Sequence, residues 1–299
     1  MANIRAQPKL NDGNTEMKLP HLFKRFAPAL GAAFLLSAGL SQGFASELPP
    51  LPQAIKDAGE LRIGVKCDSP PFGASGSDGK PVGVEIDMAK QLGTYAFGSS
   101  EKAVLSCVAT DARIPSLTGG KIDLILATLG RTPARQEVID YSEIYYWGAS
   151  NVIVPKDSAI QTLSDFQNKS MLIVKGGNQI KWLRENIPDL SFVQLNSTSD
   201  SIQALLQGRA DGYAGDAVTA AMLVGNYPQL RIIDEEVDVG VNGIGLRKGD
   251  TELKAFVDAA LKKMRDEKFF ATSVKTHVTD PNQFKVMLKG FETAPPVKN

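Results

Sequence analysis

The stretch KIDLILATLGRTPARQEVIDYS, residues 121–142, sets the fold class. Its segment IDLILAT is a short, almost continuous apolar run and reads as a buried strand. Thr132 then has the character of a helix N-cap and Pro133 that of a first helical residue, so a helix opens soon after the strand ends. Arg131 and Arg135 lie around that helix start, where the backbone N–H groups and the macrodipole already disfavour a cation. Two readings account for them. In one, a bound carboxylate accepts N–H bonds from the turn Thr128 to Gly130 and a bidentate fork from an arginine. In the other, the arginines form ordinary surface pairs with Glu137 or Asp140.

The same strand-turn-helix unit recurs on both sides. LRIGV (61–65) is a strand, residues 66–81 are rich in turn formers, and residues 83–96 carry a helical pattern. AVLSCVAT (103–110) is the next strand and RIPSLTGG (113–120) a short helix closed by glycine. Beyond residue 155 the pattern restarts with MLIVK (171–175), a GGNQ turn, a helix from about 178, the strand SFVQL (191–195), another helix and ADGYAGD (210–216). Such alternation predicts mostly parallel sheets covered by helices. LTGGKID (117–123) and LLQGRAD (205–211) also rhyme, each ending a helix at Gly and entering a strand through Asp, which suggests two lobes of similar construction. NGIGLRKGD (242–250) is a strand and turn. The helix that follows puts Leu253, Phe256, Val257, Leu261 and Met264 on one face, a stripe for core packing. The tail from Thr293 reads as disordered.

The 299 residues are 43% hydrophobic with a formal net charge of zero, enough for a substantial core and without the basic stripe that nucleic acid requires. Residues 17–25 are positive, 26–40 apolar, and Gly43-Phe44-Ala45 ends in the small residues of a signal-peptidase site, so export with cleavage near Ala45 is expected. The apolar run is shorter than the ~20 residues a spanning helix needs, and no Cys follows it to carry a lipid. The true start is Met1 or Met17. Cleavage removes five basic and two acidic residues, leaving a mature charge of −3. His277 is then the remaining histidine, which disfavours a His-based triad or a closed zinc site, and neither a metal nor a cofactor is expected. Cys67 and Cys107 are an even pair for an oxidising compartment; a disulfide and two buried thiols both stand.

Ligands of open α/β sheets bind beyond the carboxyl ends of the strands. The residues there are Lys66, Asp68 and Phe72, then Thr110 and Arg113, then Thr128 to Arg135, then Gly176 to Gln179, and Asp216. Several cations, a helix start rich in small residues, one aromatic and one well-placed acid, Asp216, suit a ligand with more negative than positive charge.

LRIGVKCDSPPFG (61–73), GVEIDMAKQL (83–92), residues 113–148, VPKDSAIQTLSDFQNKSMLIVKGGNQ (154–179), ALLQGRADGYAGDAVTAAML (204–223) and GIGLRKGD (243–250) together resemble family 3 periplasmic solute-binding proteins. These serve ATP-driven importers of polar amino acids, and the resemblance covers roughly residues 58–272. It implies an α/β two-lobe periplasmic binding protein fold of type II, each lobe a mostly parallel sheet flanked by helices, with two crossing hinge strands. The implied lobes are 46–149 with 239–299, and 150–238. Arg135 would clamp the ligand α-carboxylate with Thr128 and Gly130, Asp216 would take the α-ammonium, Phe72 would pack on the ligand, and Gly177 and Asn178 would reach the carboxylate from the second lobe. Two positions depart from the pattern: Gly130 stands where Ser or Thr is usual, and Asn178 where Thr is usual. ATDARIP (109–115) resembles glutamate- and aspartate-binding members, in which Arg113, with Lys66 and Thr198, would read a side-chain carboxylate. The alternative pairs Lys66 with Asp68 and Arg113 with Asp111 and leaves a neutral pocket. Asp87, Asp123 and Asp211 fall at structural positions, and Tyr145, Tyr146 and Trp147 are expected to pack near the hinge.

The expected function is therefore a monomeric, non-catalytic periplasmic receptor that delivers an acidic amino acid to a membrane permease. The runner-up on the same fold is a secreted cyclohexadienyl dehydratase acting on prephenate or arogenate, for which only Asp68 and Asp216 could serve as acids. A third class, a sensor domain of a larger signalling protein, would need a membrane span or a kinase module; presentation of the ligand to a separate receptor stays open.

Overall fold

In a computed structural model of the chain, residues 48–296 are described. The expected signal peptide, its cleavage site and the alternative start at Met17 lie outside them, as do residues 297–299. The strands are β1 (Leu61–Val65), β2 (Asp68–Ser69), β3 (Gly73–Ser75), β4 (Pro81–Val82), β5 (Ala103–Cys107), β6 (Leu124–Leu126), β7 (Ile139–Pro155), β8 (Ser170–Val174), β9 (Ser191–Leu195), β10 (Gly212–Asp216) and β11 (Leu230–Arg247). The helices are α1 (Gln53–Ala58), α2 (Val84–Phe97), α3 (Arg113–Thr118), α4 (Pro133–Val138), α5 (Gln179–Asn186), α6 (Thr198–Leu206), α7 (Ala217–Asn226), α8 (Thr251–Asp266), α9 (Phe269–His277) and α10 (Pro281–Glu292).

Eight strands form one sheet in the order β5-β1-β6-β11-β7-β10-β8-β9. β1 pairs in parallel with β5 and β6, and β8 in parallel with β9 and β10. Each half thus places its first strand between its second and third. Two long antiparallel strands join the halves: the start of β7 pairs with the end of β11, which borders β6, while residues 150–153 of β7 border β10. This is the two-lobe α/β fold, and β2, β3 and β4 form a small separate sheet beside the first lobe.

The rhyming aspartates do the same job in both lobes. Asp123 accepts from Arg62 N–H at 3.2 Å and pairs with its guanidinium at 2.6 Å, while Asp211 accepts from Ser170 N–H at 2.8 Å. Each ties the entry of a third strand to the start of the first. The stripe Leu253, Phe256, Val257, Leu261 and Met264 of α8 is buried in the first-lobe core.

Three features differ from the sequence reading. The strand expected at residue 242 is only the end of β11, which begins twelve residues earlier and is interrupted by irregular register. α9 and α10 follow α8, the latter capped by Asp280, which accepts from Asn282 and Gln283 N–H, with Pro281 next. Thr293, at the head of the expected disordered tail, is held by the Trp147 indole N–H, which donates to its carbonyl at 2.9 Å.

Candidate functional site

A cavity opens at the carboxyl ends of the parallel strands, between the lobes. Of the predicted site residues, the first lobe contributes Thr110, Arg113 and Thr128 to its wall, and the second contributes Gly177, Asn178, Thr198 and Asp216. Lys66, Phe72, Gly130 and Arg135 are not among the residues that line it.

Arg113 is 3% exposed. Its guanidinium donates to the carbonyls of Thr110 (2.8 Å), Ala127 (2.7 Å), Thr128 (3.0 Å) and Gly176 (3.3 Å). Burial, with the nearby Arg135 cation, lowers its pKa to about 10. Behind it sits Glu85, fully buried in the first turn of α2, which accepts from Thr128 N–H at 2.9 and 3.0 Å and from the Tyr145 hydroxyl. Desolvation pushes Glu85 up to about 7, against the bonds from Tyr145 and Thr128 and the field of Arg113. Glu85 also holds Thr128 at φ 46°, a left-handed conformation that a β-branched residue avoids without such support.

The two arginines at the helix start are explained by where they point. Thr132 caps α4 by accepting from Arg135 N–H at 3.3 Å. The Arg135 side chain folds back to donate to Gly130 O at 2.6 Å and, across the cleft, to Gly176 O at 2.8 Å. Arg131 turns to the crossing strand, donating to Ser142 O and lying 5.5 Å over the Tyr141 ring. Neither forms the surface pair with Glu137 or Asp140; Asp140 binds Lys248 instead.

Lys66 is paired. Its ammonium lies 2.6 Å from Asp68 and donates to Thr110 Oγ1 at 2.9 Å. Asp111 is not the partner of Arg113; it bridges the cleft to Lys175 at 2.9 Å. Asp68 also accepts from Thr198 N–H at 3.3 Å, so the lobes are drawn together by several bonds. Phe72 is fully buried and meets Tyr146 edge-on, with ring centroids 4.9 Å apart. Asp216 caps α7, accepting from Val218 N–H at 3.0 Å and Thr219 N–H at 3.3 Å, and lines the cavity with no basic side chain paired to it among the described residues. Desolvation pushes it up to about 6 despite those N–H bonds.

Sequence reasoning missed Glu85, Tyr146, Tyr213 and Thr219. Tyr146 packs at the hinge as expected but also lines the cavity, because β7 alternates: Tyr145 turns to Glu85 and Tyr146 to the cleft. The signal for Glu85 is a lone acid between core residues Val84 and Ile86.

The two departures from the family pattern meet in space. A Cβ on Gly130 would lie 3.1 Å from Asn178 Nδ2, and one on Gly240 3.6 Å from the same atom. The Asn178 amide therefore occupies a notch that a side chain at 130 would invade from the opposite lobe. Gly130→Ser is expected to weaken ligand binding by about 1–2 kcal/mol through overpacking at closure. Adding Asn178→Thr should restore most of it, a coupling that calorimetry on the single and double variants would read.

Over residues 61–279 the chain matches bacterial extracellular solute-binding proteins, family 3. It is 30% identical over 216 residues to the glutamine-binding protein of an ABC transporter in Bacillus subtilis (strain 168), covering 72% of this chain and 79% of that one. To the L-cystine-binding protein of Escherichia coli (strain K12) it is 28% identical over 263 residues, covering 87% and 97%. Among solved structures, the cysteine-binding protein from Campylobacter jejuni shares the fold with a TM-score of 0.73 and 31% identity, over 78% of this chain and 93% of that one. The family match runs from the start of β1 past the end of α9 and so takes in both lobes; the chain belongs to the bacterial extracellular solute-binding proteins, family 3.

Proposed function

We propose that this chain is the periplasmic receptor of an ATP-driven amino acid importer and that it closes on a zwitterionic amino acid with a neutral polar side chain. The observation that carries this reading is the charge of the wall. Arg113 and Asp216 line one cavity, while Lys66, the second cation an acidic side chain would need, is already neutralised by Asp68. Asp216 takes the α-ammonium. Arg113 and the Thr128 turn take the α-carboxylate, with Arg135 reaching it by giving up the Gly176 carbonyl. Hydroxyls and amides of Thr110, Asn178 and Gln179 face the rest of the ligand. The glutamine-binding relative is consistent with a ligand of this class. The acidic reading requires Lys66 to leave Asp68, at the cost of breaking a mostly buried pair.

Thermal unfolding of stripped protein against glutamine, cystine, cysteine, glutamate, aspartate and prephenate tests this. A ligand at 100 times its Kd adds about 2.7 kcal/mol of stability. That gain is expected with one or more of the neutral amino acids and absent with glutamate and aspartate. A rise confined to the acidic pair would keep the receptor and overturn the neutral pocket, and a rise with prephenate alone would overturn the receptor.

A further inference from the structure

Thr219 lies in the first turn of α7, three residues after Asp216, on the face of the helix that closes the cavity. It is 3% exposed, and its Oγ1 is one of two buried side-chain polar atoms without a hydrogen-bond partner among the described residues. A helical threonine ordinarily satisfies its hydroxyl on a carbonyl three or four residues back. Thr94, Thr118 and Thr276 of this chain each do so at 3.1 Å, on Lys90, Ile114 and Thr272. Thr219 does not, and its residue lines the cavity, so a partner for the hydroxyl would come from a ligand bound there. Beside it, Asp216 Oδ1 is already engaged by Val218 and Thr219 N–H, which leaves Oδ2 for a ligand. An ammonium carries three N–H donors and needs more than that one oxygen.

We infer that Thr219 is a second acceptor for the ligand α-ammonium, its Oγ1 working beside Asp216 Oδ2. This rests on the reading of the cavity as an amino acid site. It assigns Thr219 to a group common to every amino acid, so its effect is independent of the ligand side chain.

Thr219→Val removes the hydroxyl and keeps the shape; Thr219→Ser keeps the hydroxyl. Titration calorimetry with L-glutamine, L-cystine, L-cysteine, L-glutamate and L-aspartate is run on all three proteins, together with denaturant unfolding without ligand. Every amino acid that the wild type binds is expected to bind Thr219→Val about tenfold or more weakly, the scale of a hydrogen bond to a charged group. Thr219→Ser should stay near the wild type. Ligand-free Thr219→Val should be at least as stable as the wild type, because an unpaired buried hydroxyl has gone. Affinity down with stability held or raised separates a ligand contact from a packing role, which would lower both. Binding by Thr219→Val within twofold of the wild type, or equal losses of affinity and stability, overturns the assignment and leaves the receptor reading intact. Failure of the wild type to bind any of the five overturns both.

Discussion

Asp216→Asn is expected to cost about two to three orders of magnitude in amino acid affinity while leaving the fold unchanged. Asn is as good an N-cap as Asp, so the bonds from Val218 and Thr219 N–H to the side-chain oxygen survive and α7 keeps its start. What disappears is the one charge on the cavity wall that can balance a buried ammonium, and truncating one partner of such a pair costs about 2–5 kcal/mol. The pH dependence gives an independent reading of the same residue. Asp216 titrates near 6 because its surroundings exclude water, so in the ligand-free protein its ionisation opposes folding. Its contribution to stability is full below the ordinary carboxylate pKa and is lost as pH rises through about 6, and Glu85 adds a loss in the same direction up to about 7. Under the proposed function, ligand binding runs the other way, because an α-ammonium selects the ionised carboxylate. Affinity should rise with pH up to about 6 and then level, and the Asn variant should lose that part of the slope. Calorimetry from pH 5 to 8 on both proteins checks it. An Asn variant that binds within tenfold of the wild type with an unchanged pH profile would place the ammonium elsewhere.

The fold was legible because its local rules agree with one another. LRIGV, IDLIL and MLIVK are buried parallel strands, and runs of that composition have few other fates. Thr132 and Pro133 marked the start of α4 because capping is a local event. β7 and β11 were harder: they pass through Gly148, Gly240, Gly243 and Gly245, and their pairing carries register shifts that hide the alternation. Within the site, residue types were readable and pairings were not. Lys66 could bind a ligand or Asp68, and only the geometry of the turn into β2 sets the 2.6 Å contact. Arg113 has Asp111 two residues away in the chain, yet Asp111 pairs with Lys175; the four acceptors of Arg113 are carbonyls drawn from three separate segments, which no charge pattern announces. Gly130 and Asn178 each read as a separate departure from the family pattern. Together they are complementary, a relation between lobes that one-dimensional spacing does not carry.

Reduction of the Cys67–Cys107 disulfide is expected to lower stability by about 3–4 kcal/mol and the melting temperature by roughly 10 °C. The bond joins the residues just past the end of β1 to the last residue of β5, with Cα atoms 5.7 Å apart, and the parallel register that sets Val65 opposite Cys107 brings them together. The sulfurs span 40 positions of sequence, a loop that encloses α2 and the β2–β4 sheet, so the reduced unfolded chain gains much of its freedom from opening it. The folded side changes little. β1 and β5 stay hydrogen-bonded along five residue pairs, and Lys66 keeps Asp68 and Thr110. The loss should therefore fall on the unfolding equilibrium, while the stabilisation added by a saturating ligand stays the same in oxidised and reduced protein. Denaturant unfolding of the Cys67→Ser, Cys107→Ser double variant beside the oxidised wild type, each with and without ligand, separates the two effects. A midpoint unmoved by the double substitution would show that the loop is already constrained in the unfolded chain. A ligand stabilisation that collapsed with the bond would instead make the disulfide part of the binding site, holding Lys66 and Asp68 where the cavity needs them.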